Sequence, residues 1–182
     1  MWGQVAEDIS SAHFNRRFTS LRSLTGARRA AAIADVLLNS RVLAVALFRG
    51  KRLLQRRRVP VLPQVLDRLC VFFFNVNLGD YTDIDGGLYL PHGNVVVDGM
   101  VRIGRNCVIG PWVTVGTRGS VAGPRIGDDV FIGTGAKILG GIRVGDRAKI
   151  GANSVVLEDV AAGVTVVGVP ARPVSQRVIS SE

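Results

Sequence analysis

An aliphatic residue, usually followed by glycine, returns every sixth position through the second half of the chain. The series runs Ile103-Gly104, Ile109-Gly110, Val115-Gly116, then Ile126-Gly127, Ile132-Gly133, Ile138-Leu139, Val144-Gly145, Ile150-Gly151 and Val156-Leu157. Leu78, Ile84 and Leu90 keep the same step upstream, and Val97 joins the later series after one extra residue. A step of six fits neither the helical period nor simple strand alternation. It fits a chain that turns a corner every six residues. Three sides close one triangular coil, in which the aliphatic side chains point inward and stack on their equivalents a coil away, while glycine permits the tight turn. The pattern predicts a mainly β protein, a parallel β-helix over residues 76–174.

One interval breaks the step. Val115 and Ile126 are eleven residues apart where six are expected, so an insertion lies within Thr117–Arg125. Insertions in a solenoid project from one face and often line a binding site, which makes this loop a candidate border of a substrate pocket.

The first half of the chain has a different pattern. Across residues 28–58 the apolar positions Ala30, Ala31, Ala32, Ile33, Val36, Leu37, Val42, Leu43, Val45, Ala46 and Leu47 are broken by polar ones at helical spacing. Pro60 and Pro63 punctuate the chain, and Val65–Val76, with the run Val71-Phe72-Phe73-Phe74, reads as a short apolar helix or strand. That stretch is too short to span a bilayer. Residues 1–27 read as weakly structured or as one short helix. The expected organisation is a basic, mainly helical segment over 1–75, the β-helix over 76–174 and a tail over 175–182.

Charge sharpens this division. Of the net charge of +9, all is carried by residues 1–75, where 13 Lys and Arg stand against 4 Asp and Glu, while residues 76–182 balance at 10 against 10. A basic front of this kind suits a subunit contact or an anionic membrane surface. Nucleic acid is a poor fit, because the segment has no tyrosine, a single tryptophan and no recognition motif. The 22 glycines and 6% aromatic content agree with a turn-rich fold. Cys70 and Cys107 lie far apart with no His or Cys at ligand spacing, so both read as reduced core thiols and no metal site is expected. Charges scattered through residues 1–30 argue against a signal peptide, and the cytoplasm is the expected location.

Four stretches carry a resemblance: Gly86-Gly87-Leu88-Tyr89-Leu90-Pro91-His92, Ile132-Gly133-Thr134-Gly135-Ala136-Lys137-Ile138-Leu139-Gly140, Ala148-Lys149-Ile150-Gly151-Ala152, and Val167-Gly168-Val169-Pro170-Ala171-Arg172. Over about residues 41–174 the chain resembles the serine acetyltransferase-like branch of the hexapeptide-repeat acyltransferases. The resemblance implies a left-handed β-helix, since period alone fixes no hand. It implies an O-acetyltransferase that uses acetyl-CoA as co-substrate and no metal, works as a homotrimer, and acts on L-serine or a related small hydroxyl acceptor. His92 takes the place of the general base that deprotonates the acceptor, a task suited to an imidazole titrating near neutrality. Coenzyme A is expected against Gly116, Thr117, Thr134 and Ala152, with Lys149 and Arg172 near its phosphates.

This chain also departs from the serine enzymes. The family's Asp that orients the base is Asn77 here, the Asp just before the His is Pro91, and a second active-site His and its neighbouring Arg are Gly123 and Ala122. Asn77 can accept a hydrogen bond from imidazole but lacks the charge to stabilise imidazolium; Asp80, Asp83, Asp85 and Asp98 are other candidates. These losses keep two readings open beside serine acetylation: transfer to a sugar or amino sugar, and a β-helix scaffold that binds partners without catalysis.

Overall fold

The computed structural model describes Gln4, Glu7, Asp8 and residues 40–174. Two helices lead into the β-structure: α1 (Ser40–Arg56) and α2 (Leu62–Phe74). Fourteen short strands follow among the described residues: β1 (Val76–Leu78), β2 (Asp83–Ile84), β3 (Val95–Val97), β4 (Met100–Ile103), β5 (Val108–Ile109), β6 (Thr114–Gly116), β7 (Ala122–Ile126), β8 (Phe131–Ile132), β9 (Lys137–Leu139), β10 (Arg143–Val144), β11 (Lys149–Ile150), β12 (Val155–Val156), β13 (Thr165–Val167) and β14 (Arg172–Pro173).

The strands form three sheets, ordered β1-β3-β6-β9-β12, β2-β4-β7-β10, and β5-β8-β11-β13-β14. Pairing is parallel throughout except for the closing β13–β14 pair, which is antiparallel. In-register partners such as Val115 and Ile138, or Ile132 and Ile150, belong to successive coils, so the structure is the parallel β-solenoid that the six-residue step predicts.

All thirteen aliphatic residues of the repeat, from Leu78 to Val156, are at most 3% exposed. Two positions before each lies a second inward set that the six-residue reading did not single out. It includes Val95, Val101, Cys107, Val113, Val130, Ala136 and Ala148, with Thr82 and Ser154 as polar members, all buried. Each side of the coil therefore contributes two inward residues, the first of which is often small. The polar pair is satisfied: Thr82 Oγ1 donates to the Gly79 carbonyl at 2.7 Å, and Ser154 Oγ accepts from the Gly168 N–H at 3.1 Å. Burial in this apolar interior pushes the Cys107 thiol up to about 12, and that of Cys70 under α1 up to about 11, so both are inert core thiols.

Close approach of successive coils explains the glycines that follow the aliphatic residues. A Cβ on Gly133 would stand 2.7 Å from the Ala152 backbone nitrogen. At two of the three corners the chain takes a left-handed conformation three residues before the aliphatic position, where Asn94, Asn106 and Asn153 sit beside the less expected Trp112, Asp129 and Arg147. The third corner, which follows the first sheet, uses Gly99 and Gly140 instead. The insertion opens from this corner. Residues 117–121 form an exposed loop, and the rest of the predicted span is already strand, since β7 begins at Ala122 and pairs with β4 across a register shift.

The predicted helix over 28–58 is present as α1 for residues 40–56, and its earlier part, from Ala30 to Leu37, lies outside the described residues. The ambiguous apolar stretch is helical. It starts at Leu62, earlier than Val65, because Pro63 suits a first helical turn, and it ends at Asn75 in a left-handed cap whose N–H bonds the Val71 carbonyl at 3.0 Å.

The helices hold to the first coil through buried charge. The Arg49 guanidinium, 5% exposed, reaches Asp8 at 3.2 Å, the Asp85 carbonyl at 2.5 Å and the Ile84 carbonyl. Burial raises the Asp8 carboxyl above its ordinary value, opposed by Arg49 and by the Leu88 N–H it accepts at 2.9 Å. Lys51 Nζ, 3% exposed, contacts Asp67 at 2.6 Å, the Leu78 carbonyl at 2.8 Å and Asp80 at 2.8 Å. Thus part of the basic front expected to face a partner is structural: the helical turn aims Arg49 and Lys51 into the fold. Among the described residues, Arg56, Arg57, Arg58 and Arg68 remain exposed.

Candidate active site

His92 stands in the corner between the third sheet and the first, after the buried Leu90 and before β3. Its side chain is exposed and makes no hydrogen bond to another described residue. The corner runs against the end of α2. A Cβ on Gly93 would fall 2.0 Å from the Phe74 carbonyl oxygen, so glycine is what lets the chain pass there and holds the imidazole beside the helix. Val95 N–H then bonds the Asn75 carbonyl at 3.1 Å, which ties the corner to the end of the helix.

An open hollow of about 240 Å³ lies at this junction, bounded by His92 and Asn94 on the corner, by Phe73, Phe74 and Asn75 at the end of α2, and by Ala44 beneath. Among the described residues, no acidic or basic side chain other than the imidazole lines it. The amides of Asn75 and Asn94 supply its polar character, and the phenyl rings supply an apolar wall. A smaller hollow between α1 and the first coil, at Arg49, Arg52 and Arg56, is separate from His92.

Asn77 is outside this lining. It lies exposed on β1 in register with Val96, on the outer face of the sheet that His92 leads into. Thr134 and Ala152, both exposed, share the corner column of His92. Trp112 N–H bonds the Asn94 carbonyl at 2.7 Å, Gly135 N–H the Pro111 carbonyl at 2.8 Å and Asn153 N–H the Thr134 carbonyl at 2.8 Å, which stacks four coils along one edge. Gly116 and Thr117 sit at the other end of the first sheet, a strand length of roughly 10 Å from that column. The 117–121 loop is therefore remote from His92 within one copy of the chain. Lys149 lies exposed on β11 and Arg172 on β14, both in the third sheet, with Arg172 paired to Glu158 at 3.0 Å. That surface pair is exposed on both sides and leaves the guanidinium available to a stronger anion.

The solenoid that carries this edge is similar to known proteins. The profile of the bacterial transferase hexapeptide family (six repeats) matches residues 123–158. A curated serine acetyltransferase from Helicobacter pylori is 36% identical over 145 residues, which covers 78% of this chain and 85% of that protein. The chain belongs to the serine acetyltransferase family. A second serine acetyltransferase, from Synechococcus elongatus, is 38% identical over 133 residues; the match takes in 71% of this chain but 54% of that longer protein, so the chain spans about half of that relative. Among solved structures, soybean serine acetyltransferase superimposes with a TM-score of 0.80 at 34% identity over 94% of this chain and 68% of its own. The Neisseria gonorrhoeae serine acetyltransferase in complex with serine gives 0.78 at 30% identity, over 96% of this chain and 69% of its own. A serine acetyltransferase in complex with CoA gives 0.79 at 31%, over 94% of this chain and 68% of its own.

The six-residue step did not reveal that α2 forms a wall of the hollow. Phe73 and Phe74 read from sequence as members of an apolar run, and their place beside His92 follows from Gly93. Gly93, needed for close approach to the Phe74 carbonyl, was the available signal.

Proposed function

We propose that this chain transfers an acetyl group from acetyl-CoA to the hydroxyl of a small acceptor, with L-serine the first candidate, and that His92 is the general base. The observation that carries the reading is the exposed imidazole held by Gly93 at the mouth of a hollow, on the same edge as the glycine-lined corners of a serine acetyltransferase fold. His92 Nε2 or Nδ1 accepts the hydroxyl proton as the oxygen attacks the thioester carbonyl. The tetrahedral intermediate collapses with release of the coenzyme A thiolate, and the imidazolium returns the proton to that sulfur. With no carboxylate among the described residues lining the hollow, the imidazolium is stabilised less than in a carboxylate dyad. Asn75 and Asn94 are the amides that border it, and Asn77 is the one that the family pattern favours for orienting the ring.

The donor is proposed to lie along the corner column of Thr134 and Ala152, where exposed small residues let a pantetheine arm reach backbone groups, with Lys149 and Arg172 toward its phosphates. Gly116, Thr117 and the 117–121 loop lie across the sheet from His92, and they join the same site when a second copy presents that corner to the first. We propose a homotrimer for this reason.

The test is release of free thiol from acetyl-CoA with L-serine and with a panel of amino sugars and sugars. Turnover with serine supports the reading as stated. Turnover with a sugar alone transfers it to the second acceptor class, and silence with every acceptor favours the scaffold.

A further inference from the structure

The outward face of α2 is apolar. Leu62, Val65, Leu69, Phe72 and Phe73 are 45%, 43%, 38%, 82% and 65% exposed. At helical spacing these five fall within an arc of about 100°, opposite the side on which Pro63 and Cys70 are buried against α1 and the first coil. A solvent-facing stripe of this kind on a helix whose other face is already packed marks a contact surface.

Charge identifies the contact. Arg68 borders the stripe on the Phe72 side, and Arg56, Arg57 and Arg58 precede the helix, all four exposed. The one acidic residue of α2, Asp67, is turned the other way and held by Lys51 at 2.6 Å. A two-fold contact of this face with itself would bring the two arginine sets together without a compensating acid on the helix, which disfavours that self-contact. Apolar side chains that can enter the headgroup boundary, bordered by the Arg68 guanidinium with three more exposed arginines just before the helix, are complementary to an anionic lipid surface. No described helix is long and apolar enough to cross a membrane, so the contact would lie in the interface.

We propose that α2 docks on an anionic phospholipid surface, with Phe72 and Phe73 inserted and the arginines on lipid phosphates. Because Phe73 also walls the hollow beside His92, docking sets the candidate active site at the edge of the membrane. The proposal does not rest on the transfer reaction, since binding is read without turnover.

The test is co-sedimentation of the full chain with vesicles of phosphatidylcholine, alone or mixed with phosphatidylserine, at low and high salt. Wild type is expected to pellet with the mixed vesicles only, and less at high salt. Phe72→Ser with Phe73→Ser, and separately Arg56→Gln with Arg57→Gln and Arg58→Gln, should each weaken partitioning by about tenfold or more. The melting temperature should hold, because every altered side chain is exposed. Pelleting with neutral vesicles alone, no pelleting with either, or undiminished pelleting of both variants would overturn the proposal. So would a change in assembly mass on Phe72→Ser in a protein that ignores vesicles, which would assign the face to a second copy.

Discussion

The helical entrance and the β-solenoid are stabilised by different means. In the solenoid, each coil offers two inward side chains per side to its neighbours, and charged groups stay outside. At the entrance, α1 and α2 are tied to the first coil by a buried guanidinium and a buried ammonium, each meeting at least one carboxylate and one backbone carbonyl. The solenoid gains stability from apolar area and is tolerant of orientation only in the sense that every coil repeats. The entrance must fix one orientation, because α2 walls the hollow at His92. Directional contacts serve that purpose, at a desolvation cost that apolar stacking avoids.

The largest loss of stability is expected inside the repeat. Ile132→Ala opens a cavity where neighbours on β5 and β11 cannot close in, and should cost about 2–5 kcal/mol in a denaturant melt, lowering the whole solenoid transition. Lys51→Ala should cost less, about 1–3 kcal/mol, since Asp67 and Asp80 can turn to water while the Leu78 carbonyl loses its donor. Hydrogen exchange separates the two: amides of α1 and α2 should lose protection, and those of β8 and β11 should keep it.

The smallest effect concerns pH. The hydrogen bond from Lys51, opposed in part by burial, holds Asp80 below the usual carboxylate value. A group depressed in the folded state stabilises above its unfolded pKa, and that stability is lost as pH falls through the folded value. Acid should therefore loosen the helical entrance before the coils, and Asp80→Asn should flatten this dependence. Asp80 is 61% exposed, so the change will be modest.

The solenoid was legible because its physics is local and repeated. Ile103, Ile109 and Val115 announce their spacing whatever surrounds them. The second inward set was harder to see, since Cys107, Ala136, Thr82 and Ser154 share small volume but no common polarity. Arg49 and Lys51 were read as part of a solvated basic face because net charge says nothing about direction; only the packing of α1 shows which cations turn inward. At the site, His92 stood out through its motif. The hollow did not, because it exists only where Gly93 lets the corner pass under Phe74. The register of Asn77 with Val96 likewise depends on the extra residue before Val97, which moves the first strand relative to the later coils.

The central claim is that His92 removes the acceptor proton in acetyl transfer from acetyl-CoA. Single-acceptor turnover of wild type and His92→Ala, followed as thiol release, is the direct test. Because the side chain is exposed and makes no hydrogen bond to another described residue, the variant should melt like wild type. Turnover by the variant is expected to fall by about 10²–10⁴-fold in kcat. A variant that turns over at the wild-type rate would contradict the assignment.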